Sequence, residues 1–388
     1  MAENSVALYT KYRPKKLSDM IGQDVVVRIL TNSFKANKFH HAYIMAGKFG
    51  CGKTSAARII AAMMNCKKGP TLEPCGVCEN CQGIFDGSSL DVKEIDAASN
   101  RGIDDIRDLK KDAYFAPVSS QKKIVVIDEC HSLTQHAAEA LLKMIEEPPP
   151  NVVIILCTTE PEALKPTIHS RCISLTFKPI AWTELQKHIT NVCRSEKIEA
   201  DEDALKFIAK SSKGSARNSL QSLQTVIDFA GGERISLEIA EKALGGIDES
   251  LFYRLVDAIA DDKIADGWKA VNELMLKGRN TESIVKGLET YLRDLMLIPL
   301  CADSASDLGY TEQEIKRFVF QSKKAKPVLA NEMMKILVDV QKAIEVNLDP
   351  QNSLCRFVIA SILIKKELAQ KAAQKEAQKA KATSTQAK

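Results

Sequence analysis

Residues 47–54, Gly-Lys-Phe-Gly-Cys-Gly-Lys-Thr, have the residue types and spacing of a phosphate-binding loop. They satisfy the pattern G-x-x-x-x-G-K-[ST] between a strand-like segment, 41–46, and a helical segment, 54–65. Glycines allow a tight loop whose amide N–H groups point at a β-phosphate beside a helix N-terminus. Lys53 is expected to bridge the β- and γ-phosphates, and the Thr54 hydroxyl to ligate Mg²⁺. The residues predicted to bind a nucleotide in this segment are Gly47, Gly50, Cys51, Gly52, Lys53, Thr54 and Ser55.

A second segment, residues 124–129, is an apolar run that ends in two carboxylates. Asp128 is expected to hold the Mg²⁺ shell, and Glu129 to polarise an attacking water. The alternative is that both residues only cap the helix predicted over 132–146. Because a phosphate-binding loop is present, we favour nucleotide hydrolysis. The neighbouring His131 and His136 are expected to be surface or packing residues.

Four of the 11 cysteines, Cys66, Cys75, Cys78 and Cys81, lie within sixteen residues. Paired C-x2-C turns place thiolates on one side of a knuckle, and four thiolates complete a closed tetrahedral Zn²⁺ site. We therefore predict a structural zinc site at 66–81. The alternatives are a disulfide pair, which a reducing compartment disfavours, and an iron–sulfur cluster. The other seven cysteines are expected to be packing residues.

The composition of the whole chain limits the class of protein to which these residues belong. The 388 residues are 45% hydrophobic and 27% charged, which is typical of a globular protein of two to four domains. No apolar run approaches the about 20 residues that span a bilayer, so we do not expect a membrane protein. The N-terminal residues lack the pattern of an export signal, which predicts a cytoplasmic location.

Strand-like runs alternate with helical segments through the first 180 residues, which predicts an α/β domain with a mostly parallel sheet covered on both faces. The predicted strands are 41–46, 92–95, 124–128, 152–157 and 173–177. Beyond residue 179 the apolar spacing is helical, over 182–197, 203–211 and 216–230. A third, helical block begins near Gly245-Gly246, contains the long segment 328–346, and places Leu251, Leu255 and Ile259 on one face.

The net charge of +4 is concentrated at the C-terminal end, because residues 365–388 contain seven Lys and two Glu. The rest of the chain is close to neutral, which argues against a protein that coats nucleic acid uniformly. Any contact with DNA is then expected from local patches and backbone dipoles. The final segment is read as a fraying helix or disordered end, in preference to a binding arm.

Six ordered motifs together resemble the AAA+ clamp-loader ATPases. They are the phosphate-binding loop and residues 14–23, 128–131, 141–149, 157–159 and 170–172. The resemblance is strongest over 7–220 and continues, through helical layout alone, to about 368. It implies an AAA+ domain over 1–179 that carries the zinc knuckle, a helical lid over 180–243, an all-α collar for oligomerisation over 244–368, and a tail over 369–388. The family has the same four-cysteine insertion.

The resemblance also implies roles for single residues. Arg171, in the Ser-Arg-Cys motif, matches the arginine finger that reaches the neighbouring subunit's site. Arg217 matches the second sensor, which contacts the γ-phosphate from the lid. Thr158 or the adjoining Thr159 matches the first sensor, with Thr158 taken as the catalytic candidate. Tyr12, Arg13 and Pro14 lie where the family packs adenine.

The chain departs from the family's pattern at two positions. Asn218 follows the sensor arginine where the family commonly has Asp, and Cys51 lies in the loop where a small aliphatic residue is usual. Neither change removes a charge needed at the phosphates. The chain ends soon after the third block, which implies a short form without an extension that binds polymerase and helicase.

The function that the resemblance implies is hydrolysis of ATP to ADP and phosphate by a subunit that opens a sliding clamp and loads it on primer–template DNA. The protein would be a component of a DNA polymerase holoenzyme without polymerase activity of its own, in a hetero-oligomeric arc, expected to be a pentamer. Residues 100–102, at the start of a helix, are the predicted DNA contact. The alternatives are a non-hydrolysing structural subunit and another AAA+ DNA motor, such as a branch-migration helicase.

Overall fold

A computed structural model describes residues 6–149, 151–244, 249–276, 281–305, 310 and 312–386. The chain forms two compact units, Met1–Leu244 and Gly245–Lys388. None of the helices in the described ranges combines the length and the apolar character that a bilayer crossing requires.

The first unit is built on a sheet of five parallel strands in the order β2-β3-β4-β1-β5. The strands are β1 (Ala42–Gly47), β2 (Val92–Asp96), β3 (Lys123–Asp128), β4 (Val152–Thr158) and β5 (Ile173–Phe177). The three inner strands are almost completely buried, whereas the edge strands β2 and β5 are partly exposed. The predicted parallel α/β fold is confirmed, with strand bounds within one residue of those predicted.

Helices cover both faces of the sheet. Those of this part of the chain are α1 (Leu8–Lys11), α2 (Asp24–Lys35), α3 (Lys53–Asn65), α4 (Glu79–Asp86), α5 (Ile103–Tyr114), α6 (Gln135–Glu146) and α7 (Pro166–His169). Along β1, Tyr43 and Met45 belong to a core with α2 and α3, while Ile44 and Ala46 belong to a second core with α5 and α6. Successive side chains of a strand point to opposite faces, so one apolar run supplies both cores.

The sheet brings the predicted site residues to one edge. Ala46 is level with Thr158 in the pairing of β1 with β4, and Asp96 is level with Asp128 in the pairing of β2 with β3. Because the strands are parallel, their carboxyl ends lie together. The loop after β1, the acidic end of β3 and the threonines at the end of β4 therefore meet.

Four further helices complete the first unit: α8 (Trp182–Glu196), α9 (Glu202–Ser211), α10 (Ala216–Ala230) and α11 (Leu237–Leu244). They share an apolar core of their own, to which α1 contributes Leu8. The predicted subdivision at residue 179 stays a prediction, because both parts belong to one compact unit.

All the regular elements in the described residues of the second unit are helices. Its helices are α12 (Glu249–Ala260), α13 (Ile264–Leu276), α14 (Thr281–Leu297), α15 (Glu312–Lys324), α16 (Pro327–Glu345) and α17 (Pro350–Gln386). One core unites them, and Leu251, Leu255 and Ile259 are all buried in it. The backbone of α17 is helical as far as Gln386. Of the two expectations for the C-terminal segment, a helix and a disordered end, the structure therefore has the helix. The predicted start of this block at Gly245-Gly246 lies outside the described residues.

Candidate functional site

The phosphate-binding loop joins β1 to α3, as its sequence predicts. Gly52 has a left-handed backbone (φ 107°) and is the N-cap of α3, so α3 begins at Lys53. Gly50 also has positive φ (75°), and a Cβ there would lie 2.0 Å from Ser215 Oγ. Glycine is thus required at residue 50 both by the backbone and by close contact with the segment that precedes α10.

Lys53 lies at the centre of this loop and is only 5% exposed. Its Nζ donates hydrogen bonds to the carbonyl oxygens of Gly47 (2.7 Å) and Lys48 (3.2 Å). Cys51 is buried beside it, and its thiol donates to the Lys48 carbonyl oxygen (2.7 Å). Burial raises the pKa of the Cys51 thiol. The unusual cysteine is therefore accommodated in the loop as a neutral packing group.

Thr54 and Asp128 are in direct contact. The Thr54 hydroxyl donates to Asp128 Oδ2 over 2.9 Å, and the other carboxylate oxygen accepts from the Glu129 N–H over 3.0 Å. Hydroxyl and carboxylate oxygens are hard ligands that suit Mg²⁺, which usually takes one or two protein oxygens and completes its shell with phosphates and water. The donor set at this position therefore fits the predicted magnesium ion.

Glu129 begins the turn after β3 with a left-handed backbone (φ 47°), which is uncommon for a non-glycine residue. The Thr159 hydroxyl donates to its Oε2 (3.1 Å), and His131 Nδ1 lies 3.4 Å from the same oxygen. His131 Nδ1 also lies 3.1 Å from Thr158 Oγ1. The expectation that His131 only packs is therefore incomplete, since its ring bridges Glu129 and Thr158.

The two candidate sensor threonines have different surroundings. Thr158 is fully buried, and its Oγ1 accepts from the Glu160 N–H (3.0 Å) besides contacting His131. Thr159, in contrast, contacts the carboxylate of Glu129 directly. Of the two hydroxyls, that of Thr159 is therefore the one that donates a hydrogen bond to Glu129.

A cavity opens from the loop towards α1 and α8, and Ser55, Asp128 and Glu129 line its phosphate end. Tyr12, Arg13 and Pro14, the predicted adenine contacts, line it too. The pKa of Arg13 is lowered by burial and by the nearby cations Arg58 and Arg217. Three cations, Arg13, Lys53 and Arg217, and three carboxylates, Asp19, Asp128 and Glu129, line the cavity.

Among the lining residues that sequence reasoning missed are Tyr9, Phe49 and His188. Burial lowers the pKa of His188, so its imidazole is held in the neutral form at neutral pH. Phe49 could have been suspected, because a large aromatic side chain is unusual in an exposed position within a phosphate-binding loop. No local signal marks Tyr9 or His188, which come from α1 and α8.

Arg217, the predicted second sensor, lines the cavity from the first turn of α10. Its guanidinium carbon lies over the rings of Tyr9 and Phe49, 5.2 Å from each ring centroid. The N–H of Ala216 donates to the Gly50 carbonyl oxygen (3.0 Å), which attaches the start of α10 to the loop. Asn218 is exposed, and its backbone N–H is capped by Ser215 Oγ (3.1 Å).

Arg171, the predicted arginine finger, is not among the residues that line this cavity. It follows α7, is about 39% exposed, and forms an ion pair with Glu146 Oε1 (2.9 Å). It also donates to the Thr167 carbonyl oxygen (2.9 Å). The structure therefore separates this guanidinium from the loop of its own chain.

The predicted DNA contact, residues 100–102, does precede a helix, since α5 begins at Ile103 with Gly102 as its N-cap. Both side chains in this segment are hydrogen-bonded to backbone nearby. Asn100 donates to the Asp96 carbonyl oxygen (3.0 Å), and Arg101 Nε donates to that of Ala98 (2.8 Å). Arg101 is exposed.

The four clustered cysteines converge as predicted, with their sulfur atoms all within 4.8 Å of one another. Four sulfurs around Zn²⁺, at about 2.3 Å from the metal, lie about 3.8 Å apart, so a small contraction would bring this set to a tetrahedral site. None of the four is paired in a disulfide in this structure. Backbone N–H groups of Val77 and Cys78 lower the pKa of Cys75 to about 6, whereas burial raises that of Cys81. The convergence of the four sulfur atoms therefore fits a metal site.

Comparison with known proteins places these features in a family. Residues 22–181 match the model described as DNA polymerase III, delta subunit, and residues 184–232 match the model of the DNA polymerase III clamp loader subunit, ATPase lid domain. DNA polymerase III subunit tau of Bacillus subtilis (strain 168) is 38% identical over 75% of this chain and 52% of its own length. The corresponding subunit of Escherichia coli (strain K12) is 34% identical over 76% of this chain and 45% of its own length.

Among solved structures, the Thermotoga maritima RuvB Holliday junction branch migration motor matches with 23% identity and a TM-score of 0.47, covering 65% of this chain and 80% of that one. The chain spans about half the length of the curated relatives that it matches. The motifs, the sheet topology and the two family models agree, and the chain belongs to the family of DNA polymerase III gamma/tau clamp-loader subunits.

Proposed function

We propose that the chain hydrolyses ATP as one subunit of a clamp loader that opens a sliding clamp and places it on primer–template DNA. The observation that carries this proposal is the convergence of the phosphate-binding loop with Asp128 and Glu129, of which Asp128 accepts a hydrogen bond from Thr54 over 2.9 Å. A subunit that had lost hydrolysis would have no need to retain this whole set.

Binding would begin with the phosphates entering the loop. The Nζ of Lys53 now donates to two loop carbonyls, and phosphate oxygens would replace these acceptors without any change in the position of α3. The amide groups at the start of α3 would contribute further donors. Tyr12, Arg13 and Pro14 would contact the adenine at the other end of the cavity.

Thr54 and Asp128 would hold Mg²⁺, which when bound neutralises negative charge on the β- and γ-phosphates. Glu129 would orient the water that attacks the γ-phosphate, and Thr159 would keep the carboxylate in place through its 3.1 Å hydrogen bond. We therefore assign the first-sensor role to Thr159 and a packing role to Thr158. The imidazole of His131, which also contacts Thr158, would help to hold the Glu129 carboxylate in place.

Arg171 would act on the site of an adjacent subunit. Because it is paired with Glu146 and lies outside its own cavity, its guanidinium would have to leave Glu146 to reach a transferring phosphoryl group. A cation at that position stabilises the charge of the transition state. This role requires a ring or arc of subunits joined head to tail, for which a pentamer is the expected size.

The cysteine knuckle would bind one Zn²⁺ through Cys66, Cys75, Cys78 and Cys81. Because all four positions of the tetrahedron would be filled by protein, the metal would stabilise the fold of 66–81 and take no part in hydrolysis. DNA would be held mainly through its phosphates, with the N-terminus of α5 after residues 100–102 as a candidate contact. The other partners would be further clamp-loader subunits and the clamp.

The direct test is steady-state ATP turnover by the full chain assembled with other clamp-loader subunits, with and without clamp and primed DNA. We expect turnover that rises when both are present and that Lys53→Ala abolishes. Binding of ATP without turnover in the complete assembly would instead support the non-hydrolysing structural subunit. Turnover coupled to movement along duplex DNA would support a motor.

A further inference from the structure

Arg217 differs from most arginines of this protein in what restrains it. Within the described part of the chain, its guanidinium has neither a carboxylate nor a carbonyl partner, and its side-chain contacts are the two aromatic rings of Tyr9 and Phe49. Arg171, by comparison, is held by a carboxylate and a backbone carbonyl oxygen. The two arginines that are predicted to contact phosphate are therefore restrained in different ways.

Aromatic contacts restrain a guanidinium without using its hydrogen-bond donors. A ring attracts the cation through its π face, whereas the five N–H groups of arginine lie in the plane of the guanidinium. A carboxylate partner would occupy those donors and neutralise the charge. Rings therefore leave Arg217 with its full charge and free N–H groups at the wall of the nucleotide cavity.

The exposed position of Phe49 is unusual, and the contact of its ring with Arg217 explains it. It lies inside the phosphate-binding loop and is 55% exposed, which is a large apolar surface to leave in contact with water. Its neighbour Gly50 accepts the backbone hydrogen bond from Ala216 that attaches α10 to the loop. Loop and helix are thus joined twice, through the backbone at Gly50 and through the ring of Phe49.

We propose that Phe49 and Tyr9 are positioning residues that hold the Arg217 guanidinium over their rings, with its donors free for the terminal phosphate of a bound triphosphate. This inference rests on the proposed second-sensor role of Arg217. It adds that the preference of the site for ATP over ADP depends on two aromatic side chains that do not themselves bind phosphate.

The effect is expected in the ratio of two dissociation constants. Loss of one exposed cation–π contact weakens binding of the triphosphate about two- to fivefold, while binding of ADP, which lacks the γ-phosphate, stays the same. The ratio Kd(ADP)/Kd(ATP) should therefore fall by that factor in Phe49→Ala. A residue that only stabilised the loop would weaken binding of both nucleotides alike.

The experiment is titration calorimetry of the full chain with Mg²⁺ and either ADP or a non-hydrolysable ATP analogue. Phe49→Leu, which keeps apolar bulk without a π face, should behave like Phe49→Ala, and Phe49→Tyr should restore the ratio. Arg217→Ala should lower the ratio at least as far, and adding Phe49→Ala to it should lower it no further. Thermal unfolding of each variant checks that the fold is retained.

Two results would overturn this inference without affecting the proposed function. In the first, Arg217→Ala lowers the ratio Kd(ADP)/Kd(ATP) but Phe49→Ala leaves it unchanged. In the second, Phe49→Ala lowers the ratio equally whether or not Arg217 is present. A ratio that Arg217→Ala itself leaves unchanged would refute the second-sensor assignment and this inference together. That result would leave the proposed role of Lys53 in ATP binding and hydrolysis intact.

Discussion

The guanidinium of Arg171 lies 2.9 Å from Glu146 of the same chain and outside the cavity that Lys53, Asp128 and Glu129 line. Both side chains are more than a third exposed, so the pair contributes little to stability. A surface arginine in this position is available to another molecule. This relationship separates the groups that bind nucleotide from the cation proposed to complete the site.

The first prediction concerns Arg171→Ala. The variant should unfold at the same temperature as the unmodified chain and bind ATP with the same affinity, because Arg171 contacts neither the core nor its own cavity. Turnover in the assembled complex should fall by about 10³-fold or more, which is the usual contribution of an arginine finger. Arg171→Lys, with its charge but without the planar fork, should recover only part of the activity. Weakened binding of ATP to isolated Arg171→Ala would contradict this assignment.

A second prediction separates nucleotide binding from hydrolysis. Lys53→Ala removes the charged donor at the loop and should weaken ATP binding about 10- to 100-fold. Glu129→Gln keeps the shape and should leave binding intact while turnover falls about 10²- to 10⁴-fold. Fluorescence titration with a labelled nucleotide and a phosphate-release assay measure the two properties. Equal losses of binding in both variants would show that Glu129 does not act in the chemical step.

The third prediction compares the two adjacent threonines. Thr159→Val deletes the hydroxyl that donates to Glu129 and should lower turnover about tenfold without changing stability. Thr158→Val deletes a buried hydroxyl that accepts from the Glu160 N–H, and should cost about 1–3 kcal/mol of unfolding free energy. Chemical denaturation and turnover measured on both proteins distinguish them. If Thr158→Val proves the more damaging to turnover at unchanged stability, the sensor is Thr158.

Zinc binding gives a fourth prediction. The purified chain should contain close to one Zn²⁺ per molecule by elemental analysis, and Cys78→Ser should reduce this content and lower the melting temperature. Cys301→Ser is the matched control, because Cys301 belongs to the second unit and is not one of the four clustered cysteines, and it should leave both values unchanged. A metal-free chain of full stability, or iron in place of zinc, would refute the assignment.

Local sequence patterns predict the sheet and the loop well, for identifiable reasons. Strands β3 and β4 are runs of Val and Ile that only a doubly covered sheet buries, and the glycines of the loop permit few other conformations. The cysteine spacing similarly allows few arrangements other than a knuckle. In such segments the residue types alone permit few local conformations, so the structure can be predicted from the sequence.

The contacts between distant segments could not be predicted in this way. Thr158 and Thr159 are adjacent, so neighbouring side chains point in different directions at the end of β4, and only the register with β3 shows which one reaches Glu129. The rings over Arg217 come from α1 and from the loop, about 200 and 170 residues earlier in the chain, and Glu146 meets Arg171 from α6. Pairings of this kind depend on tertiary packing, which local propensity does not encode.

The most direct test of the shared site is a mixing experiment with two inactive variants of the full chain. Lys53→Ala has a defective phosphate-binding loop but retains Arg171, and Arg171→Ala retains the loop but lacks the finger. ATP turnover is measured for each alone and for an equimolar mixture at a concentration where the chains associate. We predict that the mixture turns over ATP although neither variant does so alone. A mixture no more active than its components, or an Arg171→Ala protein that is fully active by itself, would contradict the account.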